Sequence, residues 1–230
     1  MIRSALVIAV KDVRLLACRG TSLVQAMLLG LTLVVLCSLA LEGRGVDGMV
    51  AATMFWLASL FSLVLVFNAL FALEEADGGR AGLMLAPMPQ QAIWLGKALA
   101  GMTLLVLMQM GLAVATVIFL DQSWTADPLT ALLVVLLVDA GASALAALFG
   151  PLVRGGGMKE SLSPVLLFPL LMPLFLVGIR VHAVLFNLAA SATDRAGVDF
   201  GNWLGLAAAF DAVFVAAALI LFPFIFGGDD

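Results

Sequence analysis

The sequence predicts an all-α, polytopic membrane protein built as one domain of six transmembrane helices. Of its 230 residues 64% are hydrophobic and 11% charged, where a soluble domain has roughly 45–50% apolar and about 25% charged residues. The charges gather into short polar stretches. Between them the chain runs apolar for about 20 residues at a time, enough to cross the hydrocarbon core of a bilayer.

Residues 1–19 read as an amphipathic helix lying in the membrane interface. At about 100° per residue, Ile2, Leu6, Ala9, Val13 and Leu16 fall on one arc, while Arg3, Lys11 and Arg14 gather on another. Such a helix sits among the headgroups with its cations against acidic lipid. The spans follow near 22–41, 49–73, 98–120, 129–153, 161–179 and 202–226.

The longest polar interruption is 74–97. Glu74, Glu75 and Asp77 open it, Gly78-Gly79 turn it, Leu83-Met84-Leu85 form a short apolar run, and Pro87 and Pro89 end that run. Acids suit the N-terminal dipole of a short helix, glycines supply the turn and prolines forbid continuation. A short amphipathic helix at the membrane surface is expected, with an apolar edge that needs something to rest on. Lys97, close to a span end, is expected to snorkel to the interface.

A second polar loop, Arg154-Gly155-Gly156-Gly157 with Lys159-Glu160, follows the fourth span. It reads as a positive topological anchor or as a contact for a partner or lipid headgroup. Pro164, Pro169 and Pro173 interrupt the fifth span, which is therefore expected to bend and to pack inside the bundle, where protein or water covers its freed carbonyls. Residues 181–190 are apolar but too short to cross, and are expected to dip back into the outer leaflet as a re-entrant piece.

Orientation follows from the cations. With the N-terminus inside, the cytoplasmic side holds Arg3, Lys11, Arg14, Arg19, Arg80, Lys97, Arg154 and Lys159, and the opposite side only Arg44, Arg180 and Arg195. Eight against three places both termini in the cytoplasm.

Chemistry-bearing residues are sparse. No GxxxxGK[ST] loop is present, so the chain is not expected to hydrolyse ATP itself. His182 is the single histidine; it is a weak candidate for an axial haem ligand, set against a histidine hydrogen-bonded to loop backbone at the interface. No ligand cluster for zinc is apparent, and no clustered basic run points to nucleic acid. Cys18 and Cys37 read as packing residues. Asp139 and Asp211 stand inside the fourth and sixth spans, where an ionised side chain costs roughly 2.5–3.5 kcal/mol. They are expected to hydrogen-bond between helices, with Asn68 or Arg180 as partners, or alternatively to line a proton or ion path.

The pattern E-x-x-x-G…L-x-L…P…G-K, carried by Glu75, Gly79, Leu83, Leu85, Pro87, Gly96 and Lys97, together with six spans and an N-terminal surface helix, resembles the ABC-2 type transporter permeases. In that family the short loop helix rests in a groove of a separate ATPase subunit and passes on its movement. Arg80 and Ala81-Gly82 depart from the small polar residue and acid usual there, which alters the loop's charge contacts.

The combination LMLAPMP (83–89), VRGGG (153–157) and LLFPLLMPLFLVG (166–178) is more specific and runs over most of the chain. It resembles the haem exporter protein B family, the CcmB membrane subunits of cytochrome c maturation. The resemblance implies an ATPase partner CcmA, the further subunits CcmC and CcmD, and ATP-driven release of the haem-loaded chaperone CcmE at the outer face of the bacterial inner membrane. ATP then sits on the partner and haem on other subunits, with no cofactor committed to this chain. Whether the bundle pairs with a second copy of itself or with CcmC stays open. Two other readings stay open: an ABC-2 permease for another substrate, such as a lipid-linked glycan or drug, and a haem-binding or proton-moving protein that works without ATP.

Overall fold

A computed structural model describes residues 1–41, 46–75, 79–122, 128–154, 158–186 and 199–227. The described residues form eight helices: α1 (Ile2–Arg19), α2 (Thr21–Ala40), α3 (Gly48–Glu75), α4 (Gly79–Leu85), α5 (Gln90–Phe119), α6 (Pro128–Arg154), α7 (Met158–Phe186) and α8 (Phe200–Gly227). Six of them, all but α1 and α4, are long and apolar enough to cross a membrane. The expected all-α polytopic class is what the chain adopts.

The central element is α3, which packs against α2, α5, α6 and α7. Its aromatic side chains sit in sockets made by glycines on the surrounding helices. A Cβ at Gly101 of α5 would lie 2.1 Å from the Phe67 ring, one at Gly150 of α6 1.9 Å from Phe71, and one at Gly178 of α7 2.3 Å from Trp56. Lipid tails are as apolar as leucine, so burial alone does not drive helix association in a bilayer. Close backbone approach supplies the dispersion contacts that do, and only glycine leaves room for the rings.

Three expectations need correction. The third span does not begin at 98: α5 starts at Gln90, because Pro89 holds an extended backbone (φ −68, ψ 142) and caps the helix. Lys97 therefore lies about two turns inside a helix rather than at the end of a loop.

The fifth span is one helix to Phe186, so Val181 to Phe186 continue it and are not a re-entrant piece; residues 187–190 lie outside the described residues. Its backbone passes through Pro164, Pro169 and Pro173 without a break. Pro169 is exposed and Pro173 half-buried, while Leu167, Leu171, Leu174 and Val177 are buried. Spaced by four, Pro169 and Pro173 place their lost hydrogen bonds on one side of the helix. The helix packs on α3, α6 and α8 as a bundle member.

The N-terminal helix also differs from the expected interfacial arc. It packs along α5, burying Ala5, Ile8, Ala9, Asp12 and Leu16, whereas Ile2 and Leu6 are 68% and 51% exposed. Gly20, at φ +66, lets the chain turn from α1 into α2 while its N–H caps Leu16 O.

Candidate coupling site

The loop between α3 and α5 holds the sequence-predicted site. Gly79 opens α4 hard against the end of α3: a Cβ there would meet Glu74 O at 3.2 Å. In α4 Leu83 packs partly on the core, whereas Met84 is 43% and Leu85 87% exposed. Pro87 and Pro89 are exposed as well, and a tight bend closes with Met88 N–H donating to Ala86 O at 2.7 Å. The result is a seven-residue helix that presents an apolar edge outward. Glu75 ends α3. Of the second loop, Arg154 ends α6, and Gly155 and Gly156 lie outside the described residues.

Beneath this loop is a feature that the linear pattern did not give. Lys97 is fully buried. Its Nζ lies 2.8 Å from Asp12 Oδ2, 2.7 Å from Glu74 Oε1 and donates to Leu70 O at 2.9 Å. The Phe71 ring lies 5.4 Å from the same nitrogen. Asp12 Oδ1 is in turn met by Lys11 Nζ at 3.0 Å from the half-exposed side. Two cations and two carboxylates thus balance in one network, which is what a buried charge requires.

The network ties α1, the last turn of α3 and the third turn of α5 together, on both sides of α4. Glu74 is consequently not a dipole partner of α4, and Lys97 does not snorkel. The neighbouring glycine makes the contact possible: a Cβ at Gly96 would lie 2.8 Å from Ile8 Cβ and 2.9 Å from Ala5 O. One residue lets α1 approach and the next one locks it. A signal was present in the sequence, since Asp12 falls between Ala9 and Leu16 on the apolar side of α1 and needs a buried cation there.

Farther along the helices, Asp139 is buried and accepts a hydrogen bond from Gln109 Nε2 at 3.0 Å. Bonding between helices is therefore right for Asp139, with Gln109 of α5 as the donor found. Asp211 lies against Gly141, where a Cβ would meet its Oδ1 at 2.0 Å. It does not join the Gln109–Asp139 pair: Gly141 and Asp139 lie on different faces of α6.

His182 is 4% exposed inside α7, not at a loop. Its Nδ1 lies 3.1 Å from Gly178 O of its own helix, and its ring packs among Phe55, Trp56 and Phe186 at centroid distances of 5.4–5.7 Å. The cavity beside it measures about 260 Å³, less than twice the ~150 Å³ that holds benzene. Among the described residues no three His, Cys, Asp or Glu side chains gather as a metal site. Cys18 of α1 and Cys37 of α2 are free thiols.

Six helices long and apolar enough to span a membrane, packed around an aromatic hub with a short apolar-edged helix slung between two of them, define a multi-pass all-α membrane protein. A family profile described as CcmB protein matches residues 3–228. The chain belongs to the CcmB family, and is thereby an inner-membrane permease component of the haem-export ABC system of cytochrome c maturation, a complex with an ATPase partner. No curated protein and no solved structure matches the chain significantly.

Proposed function

We propose that this chain converts movement of the ATPase subunit, CcmA, into rearrangement of its own membrane helices, and that this rearrangement drives release of the haem-loaded chaperone CcmE in a complex with CcmC and CcmD. The carrying observation is the exposed Met84–Leu85 edge of α4, suspended between two spans whose ends are joined by a buried lysine. An apolar edge of this kind suits a groove on a soluble partner. The partner pushes on α4. Because Glu74 and Lys97 hold the two sides of the loop together and Asp12 joins α1 to them, the push moves α3, α5 and α1 as a unit rather than dissipating in the loop.

In this reading α4, both termini and the loop after α6 face the cytoplasm. Arg154, Gly155 and Gly156 form a second contact for the same partner or for lipid headgroups. ATP is bound and hydrolysed on the partner, and haem is carried by the other subunits.

The test is Leu85→Asp. Leu83 is partly buried, so its replacement would mix folding with docking, whereas Leu85 is almost wholly exposed and surface changes rarely shift stability beyond about 0.5 kcal/mol. The variant is expected to reach the membrane at the normal level, to lose co-purification of the ATPase, and to leave the haem chaperone loaded. Normal chaperone release by Leu85→Asp would overturn the docking assignment.

A further inference from the structure

Three sides of α1 meet three different surroundings. Ala5, Ile8, Ala9, Asp12 and Leu16 face inward and are buried. At about 100° per residue the exposed remainder divides in two. Ile2, Leu6 and Val10 form an apolar sector on one flank of the buried arc. Beyond it Arg3, Lys11 and Arg14 form a basic sector with Val7 between them. The helix exposes no carboxylate, because its one acid, Asp12, is buried against Lys11 and Lys97. Arg3 and Arg14 are exposed and make no ion pair.

The depth of α1 follows from its neighbours. At about 1.5 Å per residue, the 20 residues of α2 just match a hydrocarbon core roughly 30 Å thick, so Gly30 marks its middle and Gly20 its edge. A Cβ at Gly30 would touch Leu112 of α5 at 2.8 Å, which puts Leu112 at the same level. From Leu112 back to Lys97, α5 descends about 22 Å, a few ångströms past the edge of the core. Asp12 ties α1 to Lys97, and Gly20 ties its end to α2. Both ties lie at or just beyond the core edge, and α1 therefore lies in the headgroup layer.

The basic sector is built for phosphate. Lys11 and Arg14 are three residues apart and stand side by side on the helix. The Lys11 ammonium has three N–H groups, and Asp12 Oδ1 at 3.0 Å takes one of them from a side chain that is 46% exposed. Arg14 adds a planar fork that matches phosphate oxygens. Since Lys11 already balances Asp12, Arg14 supplies the charge that a phosphate needs. Arg3 lies about 17 Å away along the helix, too far to share the same group. A phosphatidylcholine brings its own cation beside its phosphate, whereas an anionic lipid does not. A soluble acidic partner would leave Ile2, Leu6 and Val10 in contact with water.

We propose that the basic sector of α1 binds anionic phospholipid, with one headgroup phosphate between Lys11 and Arg14, a second at Arg3, and the adjoining acyl chains against Ile2, Leu6 and Val10. Through Lys11 the first phosphate joins the Asp12–Lys97–Glu74 network, so anionic lipid holds α1 on α5. The surface stands whether or not α4 docks on the ATPase.

The test titrates the full chain in mild detergent with phosphatidylglycerol or phosphatidylcholine and counts bound lipid by native mass spectrometry. Two phosphatidylglycerols are expected to stay bound at concentrations where phosphatidylcholine does not. Arg3→Gln and Arg14→Gln should each weaken one of the two about fivefold, the worth of one cation at an anionic surface, and leave phosphatidylcholine unchanged. Phosphatidylglycerol should also raise the melting temperature of the unaltered protein more than that of the double variant.

Equal binding of the two lipids by the unaltered protein would overturn the assignment. So would phosphatidylglycerol binding and melting that the double variant leaves untouched. A double variant that keeps its phosphatidylglycerol but loses co-purification of the ATPase would give the sector to a protein partner and overturn the lipid site.

Discussion

Replacing Lys97 with methionine removes the one cation that Asp12 and Glu74 share. At 2.7 and 2.8 Å, each ion pair has a gross attraction of about 6 kcal/mol in an effective dielectric near 20. Most of that is offset by the desolvation of three charges, so the whole network contributes far less than the sum. The consequence of removing one member is different, because two buried carboxylates then stand with only Lys11 at the edge. Breaking a buried pair in this way costs about 3–5 kcal/mol.

For a chain of this size, roughly 2–4 °C accompany each kcal/mol, so Lys97→Met should melt about 6–20 °C below the unaltered protein in mild detergent. The decisive comparison is the triple variant Lys97→Met, Asp12→Leu, Glu74→Met. Replacing a buried ion network by apolar groups of similar volume is often close to neutral for stability, so the triple variant should regain most of the lost melting temperature. It should nevertheless fail in chaperone release, because neutral groups do not hold α1, α3 and α5 in register while α4 is pushed. A single variant that melts with the unaltered protein would refute the energetic reasoning. A triple variant with full release would refute the mechanical role.

Other consequences are equally direct. Gly96→Ala drives a Cβ to within 2.8 Å of Ile8 and 2.9 Å of a backbone oxygen. Overpacking of this kind costs about 1–3 kcal/mol, read as a lower melting temperature that Ile8→Ala restores only in part, since the Ala5 carbonyl stays. Asp139→Leu leaves Gln109 Nε2 without its acceptor and should cost about 1–3 kcal/mol, whereas Asp139→Asn keeps an acceptor and should melt nearer the unaltered protein; equal melting of the two would refute the pairing. With both termini inside, a cysteine placed at Asp121 in a background without Cys18 and Cys37 should react with a membrane-impermeant maleimide in intact cells. One at Met84 should react only after permeabilisation, and the reverse result would invert the topology.

The parts legible in the sequence are those that a local pattern carries. Hydropathy over 20-odd residues marks a span whatever its neighbours, and Gly79 with Leu83, Leu85, Pro87 and Pro89 encodes a short helix with its start and stop within a dozen positions. The boundary at Pro89 was missed because Gln90-Gln91 look like loop residues, although a helix that begins after proline readily takes polar residues in its first turn. Pairings between distant segments are another matter. Nothing local links Asp12 to Lys97, or Gln109 to Asp139, and each residue alone states only that it needs a partner. The three prolines of α7 were legible as lost hydrogen bonds, but which face would carry the loss depends on where α3 and α6 pack.

The buried lysine also has a meaning for how the protein is made. A membrane-inserted α5 that has not met its neighbours carries a bare ammonium about 10 Å inside a helix, at a cost of roughly 2.5–3.5 kcal/mol. Asp12 is synthesised beside Lys11 and Glu74 follows it, but Lys97, the cation that joins the two carboxylates, emerges only with the third span. The tie between α1 and the end of α3 therefore waits for α5.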